Sequence, residues 1–116
     1  MQRLLITQGD DQVIDIVRED ADGNAIDITG FTYWLTVKKQ LADADADAVI
    51  GPLSVTPGNH TDPANGETQI VIPSDTTAGV AVGEYYYDIQ EKDSSDRIST
   101  LVRDTLSVRE GVTDAT

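Results

Sequence analysis

One histidine, no cysteine and 21 acidic side chains are the raw material for chemistry in this 116-residue chain. Nucleophilic catalysis needs a base held beside its nucleophile. The only base of that kind, His60, falls in PGNHTDPANG (57–66), whose Pro, Gly, Asn and Asp content predicts a solvated loop. Carboxylate pairs of the glycosidase type are so easily drawn from 21 acids that the count selects none. Asp43, Asp45 and Asp47, in LADADADA, offer the oxygen density that hard cations want. Ala48, however, stands where a calcium loop of the EF-hand kind needs Gly, and Ser54 where it needs a bidentate Glu. Asp20, Asp22 and Asn24 form a turn that requires no ion. The sequence therefore assigns no catalytic residue, no cofactor and no metal ligand. The Asn59-His60-Thr61 sequon matters only in an exported chain.

The aromatic residues carry more information. Tyr85, Tyr86 and Tyr87 lead into period-two alternation, with Tyr85, Tyr87 and Ile89 on one face of a strand and Tyr86, Asp88 and Gln90 on the other. Two of the tyrosines are expected to fill the core and a corner. Tyr86 would then cover an outer face, as a sugar-stacking platform or a subunit contact. Trp34 and Tyr86 are the candidate protein-interface residues, conditional on their lying together on an outer face.

These residues must be positioned by strands. The polar run Lys92 to Asp96 predicts a reversal, and Ile98, Thr100, Val102, Leu106 and Val108 share one parity on the return, broken only by Asp104. The 83–108 stretch thus reads as a long hairpin with a bulge or edge near Arg103 and Asp104, since a carboxylate on a core face is costly. Earlier, Leu4 and Ile6, then Ile14 and Ile16, mark two strands separated by Gly9, and Asp20 to Asn24 marks a turn. AIDITG (25–30) shows Ile26 and Ile28 at strand spacing. In FTYWLTVKK (31–39) either Tyr33, Leu35 and Val37 or Trp34, Thr36 and Lys38 could be the inner set, because sandwich domains of immunoglobulin type often bury a Trp on the third strand. LADADADA reads as a solvated loop, 49–56 as a peripheral strand interrupted by Gly51 and Pro52, and 68–72 as a strand with Ile70 and Ile72 inward. One helical turn near Ser74, capped by Ser74 or Asp75, is expected. About seven or eight short strands and no helix of normal length predict an all-β, immunoglobulin-like antiparallel β-sandwich, residues 1–116 forming one domain with a short flexible tail from about 111.

Charge narrows the role. A net −13, with Asp supplying 16 of the 21 acids, repels phosphate backbones and anionic lipid, so neither nucleic acid nor membrane is an expected partner. No stretch approaches a membrane span, and the opening MQRLLITQGDD lacks the apolar run of a secretory signal, which predicts synthesis in the cytoplasm without signal-directed export.

Four segments together carry a likeness: REDADGNAIDITG (18–30), the aromatic strand ending VKK (37–39), IPSDTTAGVAVGEYYYDIQ (72–90) and STLVRDTLSV (99–108). In this order they resemble the small immunoglobulin-like domains of tailed bacteriophages, and the chain is similar to the N-terminal domain of the phage baseplate upper protein family over nearly its whole length. The resemblance implies a non-enzymatic structural or assembly protein of a tail, baseplate or connector, localised to the virion. Its partners would be other virion subunits, with homo-oligomer formation as a further expectation. The alternatives are a carbohydrate- or calcium-binding β-sandwich module and an acidic DNA mimic.

Overall fold

In the computed structural model, which describes residues 3–111, the chain is all-β. Seven strands are formed: β1 (Leu4–Thr7), β2 (Gln12–Val17), β3 (Thr32–Lys38), β4 (Ile50–Val55), β5 (Glu67–Ile72), β6 (Gly83–Lys92) and β7 (Ile98–Arg109). One short helix, α1 (Ser74–Ala78), and two 3₁₀ turns, Asp45–Asp47 and Pro63–Asn65, complete the elements. No helix among the described residues is long and apolar enough to cross a membrane. The tail expected from about 111 lies, beyond that residue, outside the described residues.

The strands divide into a five-stranded sheet, ordered β1-β7-β6-β3-β4, and a two-stranded sheet of β2 and β5. Alternation decides which side chains meet. From the larger sheet Leu4, Ile6, Tyr33, Leu35, Val37, Tyr85, Tyr87, Ile89, Leu106 and Val108 are buried, and from the smaller Ile14, Ile16, Ile70 and Ile72; all belong to one hydrophobic cluster. On β3 the inner set is Tyr33, Leu35 and Val37, leaving Trp34 on the outer face.

Several expectations need correction. The larger sheet is mixed rather than antiparallel, because β1 runs parallel to β7, with Leu4 opposite Leu106 and Ile6 opposite Val108. Gly9 ends β1 as expected and the chain passes from one sheet to the other, so β1 pairs with the last strand. AIDITG is not a strand. Only Ala25 bridges, to Glu19; Asp27 Oδ1 then accepts from the Thr29 N–H (2.9 Å) and the Thr29 hydroxyl (2.6 Å). A side chain that satisfies its own backbone competes with a ladder, and the step becomes a turn that plugs Ile28, fully buried, into the core. The same two bonds hold the Asp27 carboxyl below the usual carboxylate range, the hydroxyl bond first. The helical turn is real but has Pro73 as its N-cap residue, with no capping bond from that residue. Its Ser74 N–H is instead taken by Asp11 Oδ1 from the β1–β2 connection, at 2.7 Å.

The hairpin's bulge lies earlier than expected. Ile89 faces Val102 whereas Gln90 faces Thr100, so Leu101 is the extra residue. Parity therefore flips along β7: Ile98 is 61% exposed, while Leu101 and Val102 both pack against the core. Asp104 keeps its inward register opposite Tyr87, half-buried, its carboxylate accepting from the Thr105 N–H at 2.7 Å.

Gly66, at φ +74°, ends the second 3₁₀ turn, and a Cβ there would strike the carbonyl oxygens of Arg18 and Ile26. Gly23 has a similar φ of +83° with open space around it. Gly66→Ala is expected to cost more stability than Gly23→Ala, which bears only the conformational penalty of about 1 to 3 kcal/mol. Urea unfolding of the two variants compares them directly.

Candidate functional site

Two places gather polar side chains, one inside the molecule and one on its surface. The inner one begins with Glu91, whose position continues the alternation of Tyr85, Tyr87 and Ile89 and so points to the core. It is 6% exposed. Tyr33, its register partner on β3, donates its hydroxyl proton to Glu91 Oε2 at 2.7 Å. From the smaller sheet Arg18, one residue beyond β2, donates through Nε to the same oxygen at 2.7 Å, with Nη2 at 3.4 Å from Oε1. A carboxylate that must stay buried is thus met by a guanidinium and a phenol, the arrangement that lowers its desolvation cost.

His60 joins this cluster rather than sitting in solvent. Its ring lies edge-on to Tyr33, 5.6 Å between centroids. Nε2 is 2.8 Å from the Phe31 carbonyl, an acceptor only, so Nε2 carries the proton. Nδ1 is 2.9 Å from the hydroxyl of buried Thr68, which donates to it in the neutral ring. The loop 57–66 therefore reaches into the end of the core through one side chain. Composition spoke for the loop backbone and concealed the histidine's anchoring.

Electrostatics agree with a closed structural cluster. The Tyr33 hydroxyl is pushed well above its usual range by burial first and by Glu91 second. Arg18 is raised chiefly by its bond to Glu91. Tyr33 is wholly covered, while Arg18 keeps part of its side chain at the surface.

The second gathering is a groove of about 530 Å³ on the outer face of the five-stranded sheet. Thr36 and Lys38 from β3, Tyr86, Asp88 and Gln90 from β6, and Thr100 and Arg103 from β7 line it. Asp45 and Leu41 form one wall, so LADADADA is more than a solvated loop. Lys38 Nζ holds Asp45 at 2.8 Å and the Gln40 N–H donates to Asp43 Oδ2 at 3.0 Å, which is how these two acids are engaged. Among the described residues no three His, Cys, Asp or Glu side chains are grouped to hold a metal ion.

Trp34 and Tyr86 share this outer face but do not lie together on it as the interface expectation asked. Trp34 faces Gln90 and Tyr86 faces Lys38, so the two ring positions are four residues apart along the sheet, roughly 13 Å. Tyr86, 40% exposed, lines the groove, and Trp34, half-buried, stands beside Gln90 at its other end without lining it. Arg103 and Asp88, opposite each other in register, were not singled out in the sequence, although the polar parity of DIQ (88–90) was the available signal.

No model of a protein family matches the chain, and no curated protein matches it.

Burial raises the Asp88 carboxyl above 3.8, Asp45 adding to the shift while Lys38 and Arg103 oppose it. A raised acid binds its proton more tightly folded than unfolded, so ionised Asp88 weighs against the fold at neutral pH. Asp88→Asn is expected to raise the thermal midpoint at pH 7, with the gain shrinking to nothing below pH 3.8. For Tyr33 the sign puts the loss at high pH: its contribution is complete below pH 10.0 and disappears as pH rises beyond it. Urea unfolding across that range should show a shallower alkaline decline in Tyr33→Phe than in the wild type. Glu91→Gln, which leaves Arg18 without its countercharge, is expected to cost about 2 to 3 kcal/mol at pH 7.

Proposed function

We propose that this chain is a non-enzymatic structural or assembly protein of a tailed phage or prophage, working through protein–protein contacts with other virion subunits. The observation that carries the reading is a set of exposed valines on the outer face of the smaller sheet, which they share with Asp15, Glu67 and Gln69. Val13 and Val71 sit directly opposite each other in register, with Val17 on the same face, and they are 47%, 48% and 58% exposed. Three β-branched side chains on one two-stranded face are suited to burial against a partner. The interior polar cluster, by contrast, is committed to its own bonds.

Further support comes from the immunoglobulin-like character of the strand plan. A β7-β6-β3 sheet extended by β4, facing a β2-β5 pair, corresponds to the GFC sheet with its added C′ strand and to strands B and E. Tyr85, near the start of β6, donates its hydroxyl to the Ala81 carbonyl at 2.7 Å, four residues upstream, as a tyrosine corner does. These features accord with the likeness carried by REDADGNAIDITG and IPSDTTAGVAVGEYYYDIQ, which is the ground for placing the protein in a phage particle.

Replacing Val13 by Glu and Val71 by Lys turns the apolar pair into an opposite-charge cross-strand pair that the sheet accommodates. The doubly substituted protein is expected to keep its thermal midpoint and to be lost from assembled particles. Particles carrying it at wild-type copy number would sink the reading.

A further inference from the structure

The outer groove gathers polar side chains from three adjacent strands into one concavity. Several acids outside it close on the chain itself: Asp20 Oδ1 accepts from the N–H groups of Asp22 and Asn24, and Asp93 Oδ1 from those of Ser95 and Arg97. In the groove, Thr36, Tyr86, Asp88, Gln90, Thr100 and Arg103 make no side-chain hydrogen bond to any described residue. Six polar groups on three adjacent strands thus present their donors and acceptors to one concavity.

The chemistry of that set is selective. Lys38 and Arg103 stand against Asp45 and Asp88, so the groove holds two cationic and two anionic side chains inside a molecule of net charge −13. A phosphate or other anion would meet Asp88, and a cation would meet Arg103. Neither charge is favoured. What fits is a neutral ligand dense in groups that both donate and accept, matched by the amide of Gln90, the hydroxyls of Thr36 and Thr100, the carboxylate of Asp88 and the guanidinium of Arg103. Tyr86 adds a partly exposed aromatic ring at the Lys38 end, and Trp34, outside the lining, stands level with Gln90 at the opposite end; such rings are surfaces on which the C–H face of a sugar ring stacks. The volume, about 530 Å³, lies within the range of roughly 300 to 1,000 Å³ usual for small-ligand sites.

We propose that the outer groove of the five-stranded sheet is a binding site for a short neutral oligosaccharide. Asp88, Gln90 and Arg103 hydrogen-bond its hydroxyls, and Tyr86 stacks against one ring. The site is independent of the valine face on the other sheet, so it stands or falls apart from the assembly role.

The test is a heteronuclear NMR titration of the full chain with maltotetraose, cellotetraose, chitotetraose and mannotetraose, with calcium chloride and sodium phosphate as separate arms. At least one tetrasaccharide should shift amides of 36–38, 86–90 and 100–103 saturably. Tyr86→Ala and Arg103→Ala should each weaken that binding about tenfold, the scale of one aromatic or charge-assisted contact, with thermal midpoints retained. Silence of all four sugars, shifts centred elsewhere, or saturable occupation of the groove by calcium or phosphate instead would overturn the proposal.

Discussion

Burying one carboxylate between two sheets constrains everything around it. Glu91 comes from near the end of the central strand of the larger sheet and Arg18 from just beyond a strand of the smaller one, so their 2.7 Å bond ties together two sheets whose other shared contacts are mostly apolar. Apolar contacts tolerate sliding; a shared carboxylate oxygen does not. Tyr33 completes the acceptor's needs from the adjacent strand, and His60 and Thr68 extend the polar layer to the loop and to β5. Among the described residues no buried side-chain nitrogen or oxygen lacks a hydrogen-bond partner. Removing the acid alone would strand a guanidinium, so the members of the set hold one another in place.

The remaining acids show how a chain of net charge −13 keeps its shape. Aspartates at 20, 27 and 93 each accept two bonds from residues two to four positions ahead, and Asp11 caps a helix 63 residues away in sequence. Thr77, fully buried, adds a second tie there, donating to the Asp10 carbonyl at 2.7 Å and accepting from the Gly9 N–H at 3.1 Å. Part of the acidic composition is thereby engaged in turn closure at separate corners.

Period-two alternation made the core strands legible. Ile14 and Ile16, Ile70 and Ile72, and Tyr85, Tyr87 and Ile89 all point inward as their parity requires, because a one-residue slip would expose the whole set. The turn at 20–24 was equally readable from Asp, Gly and Asn, and the reversal at 92–96 from its polar run of Lys, Asp and Ser. Three things were hidden, each for a physical reason. Ile26 and Ile28 have strand spacing, but Asp27 and Thr29 satisfy their own backbone first. The bulge at Leu101 inverts parity in mid-strand, and nothing in ISTLVRD marks which residue is unpaired. Pairing of β1 with β7 joins the two ends of the chain, a contact about which local pattern is silent. As for the polar sites, Glu91 on an inward parity was a visible anomaly whose partners were not visible. The groove needs three strands in register before its residues converge.

Both margins of the larger sheet are poor templates for growth. At one lies β1, only four residues long; at the other lies β4, where Pro52 has no N–H to offer and Gly51, at φ +81°, breaks the register against β3. Short and kinked borders of this kind resist the edge-to-edge stacking that leads to fibres. Crowded at high copy number, such a molecule can remain dispersed on that side, and any ordered array it enters is left to contacts other than backbone zippering along this sheet.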